Sequence, residues 1–271
     1  MLLSVWSNSA VRAGVTSVAA AVGVLLSARY GEKVWLVENH APYRTGLEKV
    51  LIEDPVRTRA GIVAEQVPWQ RKESFSPFTM VKNGAGFFFR IPTRNGGLFL
   101  RERENCFGSI DGFEIGFADI LQQGLMRKLK ELPGTVLFDL KGADSLTSGD
   151  ILEQSDLVLV LLPPDRYAIQ EYFEIWHQHL QDRCILVADA QPISFVSTIR
   201  EQVGESARMV RIPRDDRFAR ILKNGELVPF LEENYWNMTR DAHYDLMCSL
   251  RKLCAWIYRE EQVCQETRGI H

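Results

Sequence analysis

Apolar positions along this chain cluster into short runs separated by polar, helix-prone stretches. Leu2-Leu3-Ser4-Val5-Trp6 reads as a buried strand, and Ser7 to Gly14 is small, polar and turn-prone. Thr16 to Arg29 is an alanine-rich apolar helix that Gly31 closes, and Lys33-Val34-Trp35-Leu36-Val37 is a second strand. Strand, turn, helix, strand is a βαβ unit and predicts a parallel sheet with right-handed crossovers. The rhythm recurs downstream. Phe87 to Ile91 and Leu98 to Leu100 flank a hairpin turn at Thr93 to Gly97. A helix is expected over Phe117 to Leu132, stopped by Pro133-Gly134, and a strand Val136-Leu137-Phe138-Asp139 follows. A short helix within Ser145 to Gln154, a wholly apolar strand Leu157 to Leu162, a helix Ile169 to Leu180 and a strand Cys184 to Ala188 come next. A short strand Val210 to Pro213 and a closing helix Asp241 to Gln262 complete the expectation, with a polar tail Glu260 to His271. The fold class expected is α/β, a doubly wound and mostly parallel sheet with helices on both faces, in one domain spanning residues 1–271.

Composition changes little. Hydrophobic residues are 46% and charged residues 25% of the 271, and the net charge is −3, so no global charge argues for nucleic acid or anionic membrane. The five cysteines lack paired or zinc-ligand spacing and read as small buried hydrophobes, in keeping with a reducing cytoplasm. Ala13 to Ala28 is uncharged but too short to span a bilayer, and the apolar run before it does not suit a signal peptide.

The turn after the first strand carries the candidate chemistry. Ser9-Ala10-Val11-Arg12-Ala13-Gly14-Val15-Thr16-Ser17 resembles the deviant Walker loop of the ParA/MinD family of P-loop ATPases, Lys-Gly-Gly-x-Gly-Lys-Thr-Thr. On that placement Ala10 and Val15 stand where the family has lysines, and Val11 and Arg12 replace two glycines. The ordered context extends the resemblance. Val34 to Val37 leads into Glu38-Asn39-His40, where the family has an Asp-x-Asp pair. Val136 to Gly142 matches an apolar strand running into Asp-x-x-Gly, Asp156 to Asp165 matches a strand and proline-bearing loop, and Ile212-Pro213-Arg214-Asp215-Asp216-Arg217-Phe218 matches an Ile-Pro-x-Asp turn. Nothing specific is recognised over residues 39–115.

The resemblance implies a remnant nucleotide site of Arg12, Gly14, Thr16, Ser17 and Asp139, with Thr16 and Asp139 as the magnesium contacts and ATP or ADP as the cofactor. Lost lysines and glycines remove charge and close backbone approach from a polyphosphate, so hydrolysis is expected to be very slow or absent. Each residue also has a plainer reading: Arg12 as a solvated loop residue, Thr16 and Ser17 as helix caps, Asp139 as a turn former, and Glu38 and His40 as surface residues at a strand end. Within the superfamily the degenerate loop resembles the TadZ-like, pilus- and secretion-associated branch. The implied partners are a second copy, a related active ATPase, or pilus and secretion components. A weak but genuine ATPase using Arg12, Thr16 and Asp139 is the enzymatic alternative, and DNA partitioning is a third.

Three other features are weighed. Arg208, Arg211, Arg214, Arg217, Arg220 and Lys223 recur at every third position but cross a proline turn, so a solvated surface is favoured over DNA contact. Leu246, Leu250, Leu253 and Ile257 are expected to pack against the sheet rather than a membrane. His177 and His179 face different directions on a helix, which argues against a metal there.

Overall fold

The computed structural model describes residues 1–9, 14–40, 46–52, 79–102, 110–140, 142, 145–189, 193–204, 207–237, 239 and 243–268. Arg12, Cys106 and the loop residues Ala10, Val11 and Ala13 lie outside them. The elements in chain order are β1 (Leu2–Trp6), α1 (Val15–Tyr30), β2 (Lys33–Glu38), α2 (Leu47–Leu51), β3 (Thr79–Asn83), β4 (Gly86–Pro92) and β5 (Gly97–Arg101). Then come α3 (Ile110–Gln122), α4 (Leu125–Lys130), β6 (Thr135–Asp139), α5 (Ser148–Gln154), β7 (Leu157–Leu162), α6 (Arg166–Glu171), α7 (His177–Leu180) and β8 (Cys184–Asp189). The last are α8 (Ile193–Val203), β9 (Met209–Ile212), α9 (Asp216–Asn224), α10 (Leu227–Asn234) and α11 (Tyr244–Arg268).

All nine strands form one sheet in the order β3-β4-β5-β2-β6-β1-β7-β8-β9. From β5 to β9 every pairing is parallel, and only β3-β4 and β4-β5 are antiparallel. The expected α/β architecture is what the chain adopts. Alternation along the strands sorts the core into two layers. Leu3, Val5, Leu36 and Leu137 pack with α1, α2, α9, α10 and α11; Leu2, Trp6, Trp35 and Phe138 pack with α3 to α8 on the opposite face. β1 lies between β6 and β7, where chain connections depart in opposite directions, the position at which such sheets form their crevice.

Local chemistry explains most element ends. Gly31 adopts φ 72°, and its N–H and that of Glu32 return to the carbonyls of Ser27 and Leu26, ending α1. The helix expected over Phe117 to Leu132 begins earlier and is split, because Gly124 takes φ 93° between α3 and α4. The helix expected to stop near Gln262 runs on to Arg268. Its apolar side (Leu246, Leu250, Leu253 and Ile257) is buried in the core, as anticipated. Of the Phe87-Phe88-Phe89 run, Phe88 and Phe89 are buried while Phe87 is exposed with the Lys82 ammonium 5.2 Å from its ring centroid. Cys184 and Cys254 are buried, Cys248 and Cys264 half-buried, and these four are free thiols.

Helix α11 also carries a buried charge. Glu261 on that helix is fully buried and faces Glu32 after α1; burial first, and then this second carboxyl, push the Glu32 carboxyl up to about 7. A carboxyl whose folded pKa exceeds its unfolded 4.5 stabilises the fold below the unfolded value and loses that contribution as pH rises through the folded one. The unfolding free energy from urea titration should therefore fall between about pH 5 and pH 8, by about 1–2 kcal/mol after allowance for solvent screening. Glu32→Gln should flatten that part of the profile. An unchanged slope in the variant would show that this pair is not its source.

Candidate functional site

The site is built from the C-terminal ends of β1, β2 and β6. Val5, Asp139 and Glu38 stand in one register row across these three strands, so all three point to the α1 face. Beyond β1, Gly14 occupies the N-cap position of α1 in the left-handed region, φ 70° and ψ 15°, without a capping side chain. A residue with a Cβ is disfavoured there, which is why the chain turns into the helix at a glycine. Val15, Thr16 and Ser17 are the first three helical residues, whose N–H groups have no acceptor within the helix. This corrects the capping reading of Thr16 and Ser17: the cap position is Gly14, and both hydroxyls lie half-buried inside the first turn. Val15 packs its apolar side chain against the core.

Asp139 is fully buried, and neither carboxylate oxygen accepts a hydrogen bond. It is therefore not a turn former, since a turn aspartate would accept a nearby backbone N–H. Its closest partner is His40, whose Nε2 lies 3.4 Å from Asp139 Oδ2. Glu38 is 6% exposed, and its Oε1 accepts the Leu47 N–H of α2 at 2.7 Å. The reading of Glu38 and His40 as surface residues is thus corrected. Parallel pairing of β2 with β6 sets Glu38 beside Asp139, His40 follows just past the strand, and one donor atom each from Glu38, His40 and Asp139 lies within 4.8 Å of the others.

Asn39 fastens this corner. Its backbone N–H donates to the Asp139 carbonyl at 3.4 Å, and its buried Nδ2 lies within hydrogen-bonding distance of the hydroxyls of Ser145, Thr147 and Ser148. Two buried carboxylates in adjacent register with one imidazole are an expensive arrangement. Desolvating a carboxylate without hydrogen-bond donors costs several kcal/mol, so a compensating positive charge is expected at this point.

On the other side of β1, a cavity of about 560 Å³ lies against α6. Asn8, Ser9, Tyr167 and the carboxylates of Asp165, Glu171 and Glu174 line it. Asn8 Nδ2 donates to the Ala168 carbonyl at 2.8 Å and to Glu171 Oε2 at 2.9 Å. Described residues thus give this flank a negative lining, unfavourable to a polyphosphate.

Two further motif positions have structural jobs. Asp165 caps α6, accepting the Tyr167 and Ala168 N–H groups at 2.8 and 3.4 Å. Asp215 caps α9 through the Arg217 and Phe218 N–H groups, both at 2.9 Å, and His243 Nδ1 stands 2.6 Å from its second oxygen. Burial would raise the Asp215 carboxyl, but the Phe218 N–H, His243 and the Arg217 N–H together hold it below the usual range. Of the basic run, Arg208 pairs with Glu260 and Arg214 with Asp216, while Arg211, Arg217, Arg220 and Lys223 are solvent-exposed on β9 and α9. His177 is turned toward the Tyr172 hydroxyl, with burial lowering its pKa, and His179 is no part of the one metal-competent cluster found among the described residues.

With this geometry in place, comparison with solved structures is informative. The chain is similar to a MinD from Pyrococcus horikoshii solved with Mg-ADP, at 13% identity and TM-score 0.61 over 94% of this chain and 95% of that one. It is similar to a ParA family ATPase from Chlorobium tepidum at 14% identity and TM-score 0.60, over 94% of this chain and 98% of that one. A MinD from Aquifex aeolicus in complex with MinC matches at 16% identity and TM-score 0.53, over 94% and 96%. The fold is that of the MinD/ParA P-loop ATPases. No family model matches the chain, and no curated protein matches it by sequence.

The fit to a magnesium nucleotide can be judged on the described residues. Thr16, Ser17 and Asp139 offer oxygen donors to a divalent cation and its shell, whereas the N–H groups at the start of α1 suit an anion. Val15 supplies no charge for phosphate, and the flank beside β1 is acidic. The residues present fit a cation better than a polyphosphate, so no reaction step is derived through ATP.

Proposed function

We propose that this chain is a pseudo-ATPase of MinD/ParA type that works through protein contact, as a localisation or assembly partner. The observation carrying this is Val15: at the position matched to the phosphate-binding lysine stands an aliphatic, partly buried side chain packed against the core. Ala10 at the signature-lysine position adds to it in sequence. A lost transition-state donor costs about 10²–10³ in rate, and two charged ones are missing. The face around the β1–α1 turn, relieved of phosphate, serves as the contact surface toward a second copy or a related ATPase. Pilus or secretion components are the further partners this reading implies, acting in the cytoplasm.

Purified protein should bind ATP and ADP no better with magnesium than without, and should release phosphate at the buffer rate. Titration calorimetry and a phosphate-release assay test this. Tight, magnesium-dependent ATP binding would instead establish the weak-ATPase reading, in which Arg12, Gly14, Thr16, Ser17 and Asp139 hold the nucleotide. The exposed arginines of β9 and α9 are the observation behind the DNA reading. Salt-sensitive DNA binding abolished by changing Arg211, Arg214 and Arg217 to Glu would favour it over the contact role.

A further inference from the structure

The geometry points to a nucleotide-independent metal centre formed by Glu38, His40 and Asp139, taking a divalent transition ion such as zinc. This goes beyond the contact role and does not depend on it. It also differs from the magnesium placement expected from Thr16 and Asp139, because it leaves Thr16 out and recruits an imidazole. Mixed imidazole and carboxylate donors suit zinc, cobalt or manganese, whereas magnesium prefers oxygen donors and keeps most of its water.

Three observations converge. Two donors each about 2.1 Å from a tetrahedral zinc stand about 3.4 Å apart, and His40 Nε2 and Asp139 Oδ2 are separated by 3.4 Å. The three donor atoms fall within 4.8 Å of one another, so a small side-chain adjustment brings Glu38 into the same shell. Independently, Asp139 is 0% exposed with both oxygens accepting no hydrogen bond, although it sits in the middle of the set. Buried carboxylates are normally satisfied, and a cation supplies what this one lacks.

The surroundings are those of a supported ligand set. Backbone donation from Leu47 holds Glu38 Oε1, and Asn39, between Glu38 and His40, is tied to the 145–148 segment and to the Asp139 carbonyl. Such outer contacts orient metal ligands. Three protein ligands leave a fourth position for water or for a group from a partner, the arrangement of an open rather than a closed zinc site.

The test uses the full chain, stripped with EDTA and free of nucleotide, titrated with Zn²⁺, Co²⁺ and Mg²⁺ by calorimetry, with cobalt absorption as the second readout. One equivalent of zinc or cobalt is expected, with no comparable magnesium binding. Asp139→Asn and His40→Gln should each weaken zinc by at least about 100-fold, since even outer-shell changes cost 10–100-fold. Asp165→Asn, outside the set, should bind like the parent. Absence of a stoichiometric zinc site in the parent protein overturns the proposal, whether or not the variants fold. So does zinc affinity unchanged in both variants, or magnesium binding as tightly as zinc.

Discussion

Replacing Trp6 by alanine should lower unfolding stability by about 3–5 kcal/mol, the range for truncating a large buried aromatic. Trp6 is 0% exposed at the end of β1, in the core layer facing α6. Its ring meets Trp176 edge-on with centroids 4.9 Å apart, an arrangement favoured by the ring quadrupoles. The contact depends on a π-helical turn, Tyr172–Trp176, between α6 and α7; the extra residue in that turn is the irregularity hidden inside the single helix expected over Ile169 to Leu180. Because the indole N–H of Trp6 finds no acceptor, Trp6→Phe removes an unsatisfied donor together with some volume. It should cost less than half as much as the alanine change. Urea denaturation of both variants measures this, and equal losses would mean that the indole nitrogen is not a burden.

The second large effect is expected at Gly134, in the turn before β6. Its φ is 88°, and an added Cβ would lie 2.2 Å from the Lys33 carbonyl oxygen, a backbone atom that cannot swing aside. Gly134→Ala therefore meets left-handed strain and a backbone clash together. Each costs about 1–3 kcal/mol, giving a loss of roughly 2–6 kcal/mol. The clash would push β6 from β2 at the start of their ladder, beside the Val34–Thr135 pair, at the end opposite Glu38 and Asp139. A thermal melt of this variant within a few degrees of the parent would show that the turn can relax.

How far the sequence foretold the molecule depends on where periodicity and turn chemistry agree. From β1 to β2 they do: an apolar run, an alanine-rich helix and a closing Gly31 are read from the sequence, and the structure contains all three. Asp139 at the end of an apolar strand was legible for the same reason. The antiparallel flank was only half legible. β4 and β5 announced their hairpin, whereas β3, Thr79–Asn83, is a short edge strand defined by pairing with β4 rather than by its own pattern. The tail beyond Gln262 reads as polar, yet Glu, Gln and Arg are good helix formers and carry α11 onward to Arg268.

The candidate site divides along the same line. Gly14, Thr16 and Ser17 stand at the start of α1, and Arg12 lies outside the described residues. Glu38 closes β2 and His40 follows two residues later, past the end of the strand, so strand period places Glu38 but not His40. Their meeting with Asp139 could not be inferred, because it depends on β6, far along the chain, inserting between β2 and β1.

Helix α1 is buried over its whole middle, Val18 to Ala28, between the sheet and α10 and α11. A rod gripped on every side is an anchor rather than a lever. Whatever docks at its leading end meets a stiff platform, and the docking event stays local instead of being transmitted to the far edge of the sheet.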